Sequence, residues 1–320
     1  NIEDTEKDLA LLEAIWGVAQ SFDENWVVWK EGKFKDLDVE NMNTMALQYR
    51  KQVGKLKRDI KKWKVFGAVQ NRIDQFLKTL PLIQDLRNKA MRTRHWDSLR
   101  EEMKKEFDPN SDEFTLERVF TLGVNLHAEF IGDLSATANK ELGIEAALKE
   151  MGEIWEEVTI EMTTHKEVYY KIRDVEDLFA QLEDHQVSVS TMKASRFYQS
   201  FKESIDHWEG SLAHISEVIE LALTVQRQWM YLESIFMASE DIRKQLPKES
   251  QLFDEVNNTY ILMTKQMYRD PNAMRACSAE GLLETLMDSD EKLQVIQKQL
   301  DAYLETKRMG FPRFYFLSND

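Results

Sequence analysis

Between Tyr198 and Phe236 the residues Tyr198, Phe201, Ile205, Trp208, Leu212, Ile215, Ile219, Ala222, Val225, Trp229, Leu232 and Phe236 advance in steps of three and four without a gap. A repeat of that period held over more than five heptads specifies one amphipathic helix, roughly 60 Å long at 1.5 Å per residue, provided Gly210 does not break it. A helix longer than a compact domain is wide predicts an all-α chain, an elongated array of helical bundles. Turn chemistry agrees, because the 320 residues contain only 11 glycines and 5 prolines. An all-β sandwich or barrel needs a turn every ~8–12 residues, and a doubly wound α/β fold needs many short loops.

The same spacing recurs upstream. Leu12, Ile15, Trp16, Ala19, Phe22, Trp26 and Trp29 form one run that stops near Gly32. A second passes Val39, Met42, Met45, Tyr49, Val53, Leu56, Ile60 and Trp63, continues beyond Gly67 and ends at Pro81, and a further short helix carries Leu82, Leu86 and Trp96. "FDPNSDEF", Phe107 to Phe114, is the clearest turn and the first expected boundary. The division that follows is an N-terminal bundle over 1–110, an acidic middle bundle over 111–190, a long-helix bundle over 191–309, and a truncated next subdomain over 310–320. Asp270 before Pro271 predicts an N-cap and first-turn pair, and Asp288 with Glu291 predicts a capping box ahead of Leu293. "FPRFYFLSND" is too dense in aromatics for a helix surface and predicts a short extended segment at the C-terminal end.

Charge and cysteine content narrow the function. The formal charge is −15, which disfavours nucleic acid and anionic membrane as main partners, and no stretch approaches the ~20 unbroken apolar residues of a membrane span. Residues 1–110 hold 21 basic and 19 acidic side chains, leaving 21 and 38 for the remainder. The single cysteine, Cys277, cannot form an internal disulfide, which suits a reducing compartment, and it has no histidine beside it in sequence. The chain starts at Asn1 without a methionine and stops where a new element begins, so a fragment of something longer is expected. There is no GxxxxGK[ST], no GxGxxG and no HExxH, and His207 and His214, one heptad apart, lack a third ligand nearby. Catalytic, cofactor-binding and metal-ligating residues are therefore not expected in these residues. Two features suit partners instead: Trp26 and Trp29 on one face, as core or docking ridge, and the basic amphipathic helix Arg50 to Lys64. Its face of Lys55, Lys57, Arg58, Lys61, Lys62 and Lys64 would lie opposite Val53, Leu56, Ile60 and Trp63, as a docking face or as ordinary solvated surface.

Four strings together resemble one family. "MRTRHWDSL" (Met91 to Leu99), "LEDHQVSVSTMKAS" (Leu182 to Ser195), "VQRQWMYLESIFMASEDIRKQLPKES" (Val225 to Ser250) and "LDAYLETKRMGFPRFYFLSND" (Leu300 to Asp320) look like the second N-terminal region of dynein heavy chains, which includes the linker. The segment from Phe114 to Trp155 resembles the axonemal style, with a single-headed inner-arm isoform preferred. The resemblance implies an arch of helical bundles lying across a ring of AAA+ modules and bending as the first module turns over ATP. It places ATP and Mg sites downstream of Asp320, in a parent microtubule-motor ATPase. Partners implied are the parent's own AAA+ ring, intermediate and light chains or other inner-arm accessory subunits, and a microtubule reached only through a stalk absent here, in a ciliary or flagellar axoneme. The alternative is a nonmotor helical scaffold or spectrin-like cytoskeletal tether. Within the lever reading, Gly310, Phe311, Pro312, Arg313, Phe314 and Phe316 are the candidate hinge and seat.

Overall fold

The computed structural model describes residues 2–56, 60 and 63–310, with side chains from residue 5 onward. Among the described residues the regular elements are helices apart from one hairpin and two isolated β-bridges, and the chain divides into two compact units, Asn1–Gly143 and Ile144–Asp320. The division falls inside a single helix, Ala128–Glu157. The boundaries expected at 110/111 and 190/191 are not divisions between compact units, and the reason is packing. Phe114 and Phe34 meet edge to face at 5.2 Å, Phe114 stacks on Phe107 at 5.5 Å, and Phe34 N–H donates to Phe114 C=O at 3.0 Å. The turn at 107–114 is thus stapled into the interior of the first unit.

The first unit contains α1 (Ile2–Glu31), α2 (Val39–Lys55), α3 (Lys64–Leu86), α4 (Thr93–Met103), α5 (Leu116–Thr121) and the first half of α6 (Ala128–Glu157). Its core is aromatic. Trp29 stacks on Phe76 at 5.2 Å, and Phe22 and Trp26 meet the same Phe76 ring edge-on at 5.7 and 5.6 Å. Trp29 is therefore a core residue, and Trp26, half-buried, packs against that core. Two sequence expectations change here. The run from Val39 is two helices, because Leu56, which caps α2, and Trp63, which precedes α3, both have extended backbone; Ile60 is fully buried. Pro81 does not end α3, which runs five residues further. An internal proline costs ~3 kcal/mol, and burial of Leu82, Ile83 and Leu86 beyond it is of comparable or larger size at ~1.5–3 kcal/mol each.

The second unit contains the rest of α6, the hairpin β1 (Met162–His165) and β2 (Tyr169–Ile172), then α7 (Glu176–Lys193), α8 (Tyr198–Phe236), α9 (Glu240–Gln245), α10 (Pro247–Arg269), α11 (Ala273–Cys277) and α12 (Leu282–Gly310). α8 is the long helix read from the sequence, continuous through Gly210, with one departure from helical backbone at Phe201. α7 and α12 pack along it, and α10 packs on α12. Expected caps are reassigned. Asp270 is the C-cap of α10 with its carboxylate on Arg275, and the N-cap of α11 is Asn272, whose side chain accepts from Arg275 N–H at 3.0 Å. The expected box at Asp288 and Glu291 lies in the middle of α12, which starts instead after Gly281, held at φ +73°.

Two glycine substitutions should move in opposite directions. Gly210 sits mid-helix and exposed, with nothing within 4 Å of an added Cβ, whereas Gly281 needs the left-handed backbone. Gly210→Ala should raise the stability of the second unit by about 0.5–1 kcal/mol, and Gly281→Ala should lower it by about 1 kcal/mol or more, read as shifts in the urea midpoint.

Candidate functional site

The residues singled out in the sequence do not converge on a catalytic centre. Among the described residues no group of three or more His, Cys, Asp or Glu is placed to hold a metal ion. Cys277 is fully buried and burial pushes its thiol up to about 12, so it carries no thiolate near neutral pH. His214 Nε2 lies 3.1 Å from the Cys277 carbonyl, while His207 rests against Trp208. Of the basic face, Lys55 closes α2 and Lys64 opens α3, so these two residues lie on different helices and not on the single amphipathic helix expected. Lys57, Arg58, Lys61 and Lys62 lie outside the described residues, as do Phe311, Pro312, Arg313, Phe314 and Phe316 and the extended segment they belong to; Gly310 is the last residue described.

What the second unit does contain is a polar clamp between the hairpin and α8. Gln226 is buried, and its side-chain amide accepts from Ile172 N–H at 2.8 Å and donates to Ile172 C=O at 2.9 Å, acting as a third strand for one residue of β2. The Tyr260 hydroxyl donates to the same Gln226 oxygen at 3.1 Å. One turn further along α8, Trp229 stacks on Tyr260 at 4.2 Å, takes Tyr169 and His165 on its edges, and donates its indole N–H to Asn257 Oδ1 at 3.0 Å. Buried Glu233 accepts from Lys166 Nζ at 2.5 Å, on the hairpin turn where Lys166 and Glu167 both have positive φ. Non-glycine residues in that geometry are strained, and the Lys166–Glu233 pair helps hold them there.

A second clamp joins helix ends. Asn272 is buried, and its Nδ2 donates to the carbonyls of Trp155 and Glu156 at 3.0 Å and Val158 at 3.2 Å, while its oxygen caps α11. The orphan carbonyls at the end of α6 thus find a donor that is not local in sequence. The first unit has a comparable node. Arg92 N–H donates to His95 Nδ1 at 2.9 Å, which places the ring proton on Nε2, facing Glu141 Oε2 at 3.1 Å; Arg94 Nε donates to that oxygen at 2.6 Å. In the second unit Trp155 Nε1 donates to His185 Nδ1 at 2.8 Å.

Both histidines are held below the usual imidazole range, first by burial, with nearby carboxylates (Glu141 for His95, Asp184 and Glu150 for His185) pulling the other way. A protonated ring would also turn each Nδ1 from acceptor into donor, against an N–H. Because the folded pKa is depressed, the contribution is complete above the unfolded value of about 6.5 and is lost as pH falls below it toward the folded pKa. Urea midpoints should therefore drop between about pH 7.5 and about pH 5.5, and His95→Gln and His185→Gln should each flatten part of that dependence. Gln226→Leu leaves the Ile172 N–H and C=O without their partner and should cost about 3 kcal/mol or more, with amide exchange rising first in residues 162–172.

Comparison with known proteins identifies what kind of chain carries these clamps. Residues 2–320 match the family model "Dynein heavy chain, N-terminal region 2". The chain is 48% identical over 315 residues, 98% of its length, to the dynein-1-beta heavy chain of the flagellar inner arm I1 complex of Chlamydomonas reinhardtii. It is 48% identical over 323 residues, 100% of its length, to human dynein axonemal heavy chain 2, and 35% identical over 98% of its length to the Chlamydomonas dynein-1-alpha heavy chain of the I1 complex. It spans about 7% of the length of each of these relatives. With the family model covering all but the first residue, the chain belongs to the dynein heavy chain N-terminal region 2 family.

Proposed function

We propose that this chain is the linker and tail-junction portion of an axonemal dynein heavy chain, a mechanical element that carries displacement, driven by ATP turnover in an AAA+ ring elsewhere in the parent, to the tail during ciliary or flagellar motility. The observation that carries this reading is the family match over residues 2–320, together with relatives named for the flagellar inner arm and the axoneme. The physics of the second unit supports it. A part that transmits force must resist local melting, and α8 is buried along one face from Ile205 to Phe236 and tied to the hairpin at Gln226, Trp229 and Glu233. In this reading chemistry lies outside these residues, in a microtubule-motor ATPase, and this chain supplies stiffness. Its partners are the parent's own ring and inner-arm accessory subunits. Bending is assigned to the junction of Gly310, Phe311, Pro312, Arg313, Phe314 and Phe316, where a helix-breaking glycine is followed by a proline of fixed φ.

The test uses an intact heavy chain. Phe311→Ala with Phe314→Ala, and separately Gln226→Leu, should leave ATP turnover near the parental rate while microtubule gliding slows severalfold, since coupling is lost and not hydrolysis. Unchanged gliding velocity in both variants, with normal folding, rejects the lever role.

A further inference from the structure

α1 carries two apolar stripes, and the described residues cover one of them. Ile15, Phe22 and Trp29 face the core of the first unit. At 100° per residue, Leu9, Trp16 and Val27 lie within about 20° of one another on a second stripe, roughly 130° around the axis from the first. They are 54%, 58% and 46% exposed. Beside this stripe, on the side away from the core, Glu6, Glu13, Glu24 and Glu31 also align within about 20° of one another. All four are exposed, and none takes an ion pair with another described residue. The stripe is apolar at Leu9, Trp16 and Val27 and polar between Trp16 and Val27, where Gln20 and Asp23 share the face, Gln20 donating to Glu24 at 3.0 Å and Asp23 pairing with Arg72. Edged by a row of carboxylates, such a face matches one half of a two-helix contact whose other half is basic at its edge.

We propose that the Leu9–Trp16–Val27 stripe seats a basic amphipathic helix of the same polypeptide, from outside residues 1–320, with Lys or Arg beside its apolar seam and opposite Glu6, Glu13, Glu24 and Glu31. Area decides between an occupant in the same chain and a separate protein. The stripe offers on the order of 300 Å² of apolar surface, well short of the ~800 Å² per partner of a free-standing specific interface. A helix tethered in the same polypeptide meets the stripe at an effective concentration in the millimolar range, where so small a seam is enough. The charge row selects the partner. A neutral or acidic helix would leave the carboxylates unpaired or repelled, whereas a basic one forms up to four flanking pairs. The inference rests on the reading of the chain as part of a longer heavy chain.

The experiment places a photo-crosslinking phenylalanine analogue at position 16 of the intact heavy chain, with a second placement at position 27 and a control at exposed Gln52 on α2, and maps the products by mass spectrometry. The expected product joins position 16 or 27 to a segment of the same polypeptide that carries Lys or Arg beside apolar residues spaced by three and four. Its yield should fall roughly threefold in a Glu13→Lys, Glu24→Lys double variant. A link to a different polypeptide, a link to a segment without a basic edge, or a yield no higher than at Gln52 overturns the proposal. Gliding velocity is read in the same samples: normal gliding without the link rejects this contact alone, and the expected link in a chain whose joint and clamp variants still glide normally rejects the lever reading alone.

Discussion

A 39-residue helix is not held in water by its own backbone hydrogen bonds, and α8 keeps its length through the apolar stripe that other elements cover. Ile205, Leu212, Ile215, Ile219, Val225, Trp229, Leu232 and Phe236 are each almost wholly buried. At about 1.5–3 kcal/mol for each large side chain, this one surface supplies a major share of what offsets the ordering of the second unit. α7, α11 and α12 lie on it, and the hairpin sits where Trp229 presents its ring. Removing the stripe would leave those elements without a common neighbour.

Apolar burial alone does not fix where a neighbour sits along a helix, because one leucine surface resembles the next. Buried polar groups do, since each has few acceptable partners and a misplacement strands a donor or acceptor. Gln226 matches the N–H and C=O of one residue, Ile172, so the hairpin has one register on α8. Glu141 holds α4 against α6 in the first unit in the same manner, through Arg94 and His95. The two units differ in emphasis: the first relies on interlocking rings around Phe76, the second on a long aliphatic seam pinned by side-chain amides.

Helix period was legible, and the clamps were not. Residues 198–236 could be read from spacing alone, because a covered stripe must repeat every 3.6 residues whatever covers it. The string that carries Trp229, and the one that carries His95, also supported the family resemblance. Punctuation was less reliable. Pro81, Gly210 and Asp288 read as breaks by local preference, but tertiary burial outweighs penalties of ~1–3 kcal/mol. The hairpin was missed because "MTTHKEVYYKI" lies between helical runs and its turn uses Lys166 and Glu167 in place of the usual glycine or asparagine. Gln226 and Asn272 look like unremarkable helix-surface and loop residues, and only contact with chain 54 and 114 or more positions away gives them their roles.

That distance matters while the chain is being made. The last carbonyls of α6 wait for Asn272, which follows Trp155 by 117 residues. At roughly 5–20 residues per second, the ribosome needs about 6–23 s to supply it. During that interval the end of α6 and the link from it to β1 have neither their donor nor the Pro271 carbonyl that receives Ile160 N–H. The second unit therefore closes late, from its C-terminal side, and the nascent form most exposed to wrong pairing is the one that ends just short of α11.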